Sequence, residues 1–240
     1  MRPRGSSSVT KTCAVLGAVY LLLWCGAAWR VGQRGPAGLD LERRGSEALA
    51  ALSLLDVSAA LVALPLLVIG GAARSARSTV LAIFVLTSAG IWTIDALSTR
   101  VDGAVVYATR LLLASIAAMT VGAARLAAAV WRDVYDAAGA VLTAVAAVTG
   151  AVVFAAPALT RLGDADTLIA GLLAANPLVA MAGAAGFDLL RTDLLYRITP
   201  VAQRFFEYPS WGFTALLYSI IALICWSAAA IVHSREARCV

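Results

Sequence analysis

One lysine, one histidine and four cysteines in 240 residues exclude several kinds of chemistry at the outset. Lys11, close to the start, is the only lysine, so a rhodopsin-like retinal protein, whose Schiff base needs a lysine in a late span, is ruled out. His233 alone provides neither axial nor clustered ligands for a haem or copper centre. Cys13, Cys25, Cys225 and Cys239 show no CxxC spacing; two lie in apolar runs and two near the chain ends, which fits neither a disulfide framework nor a zinc site. A Ser–His–Asp set would have to use His233, at the end of an apolar run and far from most acids in the sequence. No HExxH, P-loop or paired-carboxylate motif stands in a suitable context. The chain is therefore expected to be non-catalytic, with no cofactor and no metal.

Charge is scarce as well. Only 14% of residues are charged, against about 25% in soluble domains. Hydrophobic residues make up 61%, and the mean hydropathy is +0.86. The apolar residues fall into runs of about 20, the length that crosses a bilayer. The expected fold class is all-α: a polytopic transmembrane helix bundle forming one domain over residues 1–240. The net charge of +5 comes almost wholly from arginines scattered through short loops. That distribution reads as topology determinants rather than as a nucleic-acid footprint, so the expected surroundings are the lipid bilayer and not nucleic acid.

A basic head carrying Arg2, Arg4 and Lys11 precedes an apolar run at 13–29. This describes an uncleaved first span with a cytoplasmic head, or a signal peptide. The length of the run and Arg30 after it favour the span. "RVGQRGPAGLDLERRGSE" then reads as a loop with a short interfacial helix near 39–44. A second span is expected over 48–70, with Pro65 tolerated as a kink, and "GAARSARSTV" follows as a basic cytoplasmic turn. The third span is expected over 80–97 and the fourth over 105–130. "WRDVYD" turns on the cytoplasmic side with Trp131 and Tyr135 at the interface. A fifth span is expected over 138–156, ended by Pro157. "TRLGDAD" is an exterior turn, and a last span covers 213–232.

The segment 167–186 has the length of a span but holds Asn176-Pro177 at its centre. Proline removes a backbone donor and disfavours helix at the residue before it. At membrane depth such a break survives only where protein or a cavity covers it. Two topologies follow. If the segment crosses, there are seven spans and an exterior C-terminus. If it enters and returns over 165–210, there are six and a cytoplasmic C-terminus. Arginine counts balance between them, and the Asn-Pro break favours six.

Six spans with a broken pair of short helices between the last two resembles the membrane subunit of ABC-2-type transporters. In that family the last exterior connection commonly opens on Asn-Pro and forms re-entrant helices capping the exit of the path. Here "AANPLVAMAGAA" corresponds to the descending half and "DLLRTDLLYRITPVAQRFFEYPSW" to the return. The resemblance implies a permease that is energised by a separate cytoplasmic ATPase and works as a dimer. The family's N-terminal elbow helix and its coupling helix between the second and third spans have no counterpart; only "GAARSARST" stands at the latter place.

Ionisable groups within spans cost about 2.5–3.5 kcal/mol each to insert, so they pair or line water. Asp56 and Arg110 are expected at similar depth in spans two and four, with Asp95 near the outer end of span three. An ion pair among them is expected, either as a structural link or as part of a substrate path. Arg125 is expected to snorkel to the cytoplasmic interface. From Asp188 onward, Asp188, Arg191, Asp193, Arg197, Arg204 and Glu207 alternate in sign around leucines. This pattern is an amphipathic surface helix that serves as an outer gate, a partner-docking surface or a plain interfacial element. Phe205, Phe206, Tyr208 and Trp211 fit an aromatic belt. Small residues over 139–151 allow close helix packing, within the chain or between copies.

The expected function is a membrane-embedded, permease-like subunit of an ABC-type export complex in the bacterial cytoplasmic membrane, with Asn176 and Pro177 at its outer gate. The competing expectation is a structural or assembly subunit of a larger membrane complex, bound to other membrane subunits and without a path of its own.

Overall fold

The computed structural model describes residues 41–69, 102–131, 133–159, 165–189 and 208–236. The expected first and third spans, the basic turn at 71–80, Asp95, and Arg191, Asp193, Arg197 and Arg204 lie outside these residues. The described residues are helical, without a strand: α1 (Leu41–Ile69), α2 (Gly103–Val130), α3 (Val134–Leu159), α4 (Ala165–Ala175), α5 (Pro177–Ala184) and α6 (Trp211–Glu236). Three stretches are long and apolar enough to cross a membrane: Leu49–Ile69, Gly103–Val130 and Trp211–Arg235. The bent pair α4–α5 makes a fourth if counted as one span. These helices mark a membrane protein.

Helix ends follow local chemistry. The Asp102 carboxylate accepts from the Ala104 N–H at 3.0 Å and starts α2, the N-cap bond that satisfies an otherwise orphaned donor. The Asp133 carboxylate accepts from the Tyr135 N–H at 2.6 Å where α3 begins. At the start of α6 the Ser210 carbonyl accepts from the Thr214 N–H at 3.1 Å.

Two helices overrun the expected limits. Residues 41–48 continue α1 instead of forming a separate interfacial helix, because "LERRGSEALA" is rich in helix-forming Leu, Glu, Arg and Ala, which outweigh Gly45. Pro157 does not end α3, which runs on to Leu159. A proline this close to a C-terminus removes only one backbone bond, so the last turn survives it.

Side-chain register fixes the helix directions. Tyr107 meets Trp211 edge-on, with centroids 6.4 Å apart. The Ser219 hydroxyl donates to Ser115 Oγ at 3.3 Å, and the Trp226 Nε1–H to the Ala118 carbonyl at 3.3 Å. Numbers rise together along both helices, so α2 and α6 run parallel. Leu49 and Leu52 pack with Val106, Asp56 meets Arg110, and Ile69 packs with Ala124 and Ala127. Thus α1 is parallel to both. The third helix runs the other way: Ala137 and Val141 join Ile69 and Ala127 at the far end, and Thr149 lies beyond the middle, beside Asn176.

The central core joins Val57 and Leu61 of α1, Leu112 and Ile116 of α2, Met181 of α5 and Tyr218 of α6. The opposite side of α6 is bare, with Phe213, Leu216, Ile220, Leu223 and Ile224 exposed. Such an apolar face belongs in hydrocarbon, not in water.

Arg125, expected to snorkel to the cytoplasmic interface, lays its guanidinium over the Trp226 ring at 4.3 Å. A cation on an aromatic face keeps its charge while shielding its stem.

Candidate functional site

The break at Asn176 is held by four helices. Helices α4 and α5 meet at 81° across this one residue. Asn176 is buried and extended (φ −85°, ψ 113°), and it acts as N-cap: its side-chain oxygen accepts from the N–H groups of Leu178 at 3.0 Å and Val179 at 3.4 Å. Pro177 sits at the first helical position, where a missing N–H costs nothing. The Asn176 amide also donates to the Thr149 carbonyl of α3 at 2.9 Å. On the other side, the Tyr218 hydroxyl of α6 donates to the Ala175 carbonyl at 3.1 Å.

The Asn176 cap and the Tyr218 hydroxyl satisfy the Leu178 and Val179 N–H groups and the Ala175 carbonyl that the bend leaves without helical partners. The Thr149 hydroxyl bonds the Val145 carbonyl at 2.7 Å within its own helix, and the Thr149 carbonyl accepts from Asn176. The sequence points to Asn176 and Pro177 but not to Tyr218 and Thr149. Their signal was a tyrosine in mid-span, away from any aromatic belt, where its O–H needs a partner.

Gly186 ends α5 at φ +70°. The Phe187 N–H reaches the Ala182 carbonyl at 2.9 Å, and the Gly186 N–H the Gly183 carbonyl at 3.1 Å. This paired closure requires a left-handed residue, for which glycine carries no Cβ penalty. Beyond it, the Tyr208 hydroxyl donates to Asp188 Oδ1 at 2.7 Å, and the Tyr208 ring lies against Gly183. Asp188, the first residue of the charged stretch, is thereby tied to the chain entering α6.

Asn176→Ala is expected to destabilise the chain by about 2 kcal/mol, through the lost cap on α5 and the lost bond from α5 to α3. Asn176→Asp, which keeps the cap oxygen and loses the amide donor, is expected to be intermediate at neutral pH. Thermal unfolding in detergent checks both; equal losses for the two variants would refute the dual role.

The second constellation is the ion pair. Arg110 Nη1 donates to Asp56 Oδ2 at 2.8 Å, with the Asp56 side chain wholly buried and the Arg110 side chain 11% exposed. It lies one turn inside the Tyr107–Trp211 pair along α2, whereas the Asn176 break is at the level of Tyr218, nearer the middle of the bundle. The structure thus brings Asp56 to Arg110, while Asn176 bonds to Thr149 and caps α5.

Among the described residues, no group of three or more His, Cys, Asp or Glu side chains is arranged to hold a metal ion. No protein-family model matches the chain, and comparison with curated proteins and with solved structures finds no match.

Proposed function

We propose that this chain is a permease-like membrane subunit of an ABC-type export complex, non-catalytic and energised by a separate ATPase, with residues 165–210 entering and leaving on one side of the bilayer. The observation that carries the reading is the buried, capped break at Asn176 together with the helix directions. Helix α3 runs opposite to α2, and α6 runs parallel to it. The segment between α3 and α6 therefore starts and finishes at the same end of the bundle, as a re-entrant element does and a single crossing does not. The 81° bend returns α5 toward that end, where Gly183 meets Tyr208. In this reading α4 and α5 form the exit gate, with Asn176 as its pivot, and the full chain has six spans.

A second reading, a structural subunit of a larger complex, is favoured by the same bonds. The polar groups exposed by the bend are taken up internally by Thr149 and Tyr218, so the break offers nothing to a passing substrate.

Two measurements test the proposal. In a chain with Cys13, Cys25 and Cys225 replaced by Ala, Cys239 and a cysteine substituted at the exposed Tyr135 are expected to react with an impermeant maleimide from the same side. Reaction from opposite sides would mean that the Asn-Pro segment crosses. Purification from native membranes in mild detergent is expected to bring down a nucleotide-binding ATPase in stoichiometric amount. Other membrane subunits in its place would sink transport and leave the assembly reading.

A further inference from the structure

One cation stands on the outside of the bundle, at hydrocarbon depth, without an opposite charge. Arg125 of α2 is exposed, and its guanidinium carbon lies 4.3 Å from the centre of the Trp226 ring. Among the described residues it makes no hydrogen bond and no ion pair. Its depth follows from α2. Tyr107 and Trp131 are exposed aromatics 24 residues apart (131 − 107), or about 36 Å along the axis. That spacing sets one at each edge of a hydrocarbon layer about 30 Å thick, where interfacial aromatics gather. Arg125 comes six residues before Trp131, about 9 Å inside that edge.

The side chain points deeper still. A helical Cα–Cβ bond tilts toward the helix N-terminus, here away from Trp131, and Trp226 stands against Gly122, one turn further in. Two contacts fix the indole. Its Nε1–H bonds the Ala118 carbonyl at 3.3 Å, and its ring fills the space that Gly122 leaves on α2. A long cationic side chain near a helix end ordinarily snorkels outward; this one is held inward on a fixed ring.

A charge at that depth draws phosphate and water toward itself and thins the leaflet beside it. A phosphodiester brings a negative charge and two oxygens that match the guanidinium fork. The approach along the surface is low. Between Arg125 and the Trp131 end, the exposed residues on the same helix faces are Ala128 of α2 and Ala230 of α6. With no carboxylate of the described residues paired to Arg125, a lipid of net negative charge suits it better than a zwitterion, whose own ammonium competes for the phosphate.

We propose that Arg125, held on Trp226, binds the phosphate of one anionic phospholipid from the leaflet at the Trp131 end and draws it below its neighbours. The site goes beyond the transport reading and does not rest on it, needing only that α2 and α6 stand in a bilayer.

Arg125→Met, which removes the cation from an exposed position and keeps an apolar stem, tests the site. The chain, stripped of lipid in detergent, is titrated with phosphatidylglycerol, phosphatidylethanolamine or diacylglycerol of the same acyl chains and followed by native mass spectrometry. The first phosphatidylglycerol is expected to bind at least tenfold more tightly than either other lipid, and R125M to bind all three alike. Arg235→Gln is the control. Facing residues of α2 and α6 differ by 104, so exposed Arg235 stands level with Trp131, and R235Q is expected to keep the preference within twofold. If R125M does not survive purification, R125Q takes its place with the same expected loss. Equal binding of the three lipids to the natural chain, or an equal loss in R125M and R235Q, overturns the proposal. So does a natural chain that is dimeric and takes no tight lipid while R125M is monomeric, which would set a partner's carboxylate on Arg125. An ATPase that fails to co-purify leaves these results untouched, so failure of the two proposals is distinguishable.

Discussion

Asp56→Ala is expected to destabilise the chain by about 3–5 kcal/mol, the cost of leaving one member of a buried ion pair uncompensated. The Asp56 side chain is fully buried and its partner nearly so, at 2.8 Å. Removing the carboxylate strands a guanidinium that already has two unpartnered nitrogens. Leu52 of α1 packs on Val106 of α2 one turn away, so the pair sits in a largely apolar seam. The double replacement D56L/R110M is expected to recover most of the loss, since well-packed apolar residues commonly match or exceed a buried pair in stability. Unfolding by sodium dodecyl sulfate titration in mixed micelles measures all three chains. A near-neutral D56A would show that the pair is solvated. The double variant also separates roles: if the pair serves only to join two helices, D56L/R110M keeps whatever activity the complex has. If the pair lines a path, stability returns without activity.

Gly122→Ala carries the second large effect. A Cβ at Gly122 meets Trp226 Cδ1 at 2.6 Å and Nε1 at 2.8 Å, with the Ala222 carbonyl at 3.2 Å behind them. The indole can swing outward, but doing so breaks its bond to the Ala118 carbonyl and removes the surface on which Arg125 lies. The carbonyl of Ala222 belongs to the helix itself and moves only if α6 moves. Overpacking of this kind costs about 1–3 kcal/mol, here at the most extensive helix contact among the described residues. Trp226→Leu is expected to relieve it, so G122A/W226L loses less than the sum of its parts by more than about 0.5 kcal/mol. Simple additivity in thermal unfolding would mean that the close approach of α2 and α6 at Gly122 does not limit their packing.

Much of the helix content was legible because bilayer chemistry is written in composition. Runs of Ala, Leu, Val and Ile of spanning length have one stable backbone solution when water is absent, the helix. Asn176-Pro177 was legible as a break for an equally local reason, since proline lacks a donor and constrains its predecessor. The direction in which the chain left that break was not. A 20-residue apolar segment that crosses and one that turns back have the same composition and the same arginine balance. Only the register of Tyr107 with Trp211, Ser115 with Ser219 and Gly122 with Trp226 shows that α6 runs with α2.

The partners at the break were hidden for the same reason. Asn176 announces a cap, yet its second bond goes to a carbonyl 27 residues away, and Ala175 is served by a tyrosine 43 residues away. No spacing rule connects residues on different helices. Asp56 and Arg110 stood out as expensive charges in apolar runs, because burial cost is a property of a single side chain. That Arg110 turns only one nitrogen to Asp56, leaving a whole edge unpartnered, depends on the rotation and separation of two helices. Sequence by itself determined what must be helical, what must be buried and what must find a partner. Tertiary structure decided which partner, from which helix and in which direction, since those follow from packing among segments far apart in the chain.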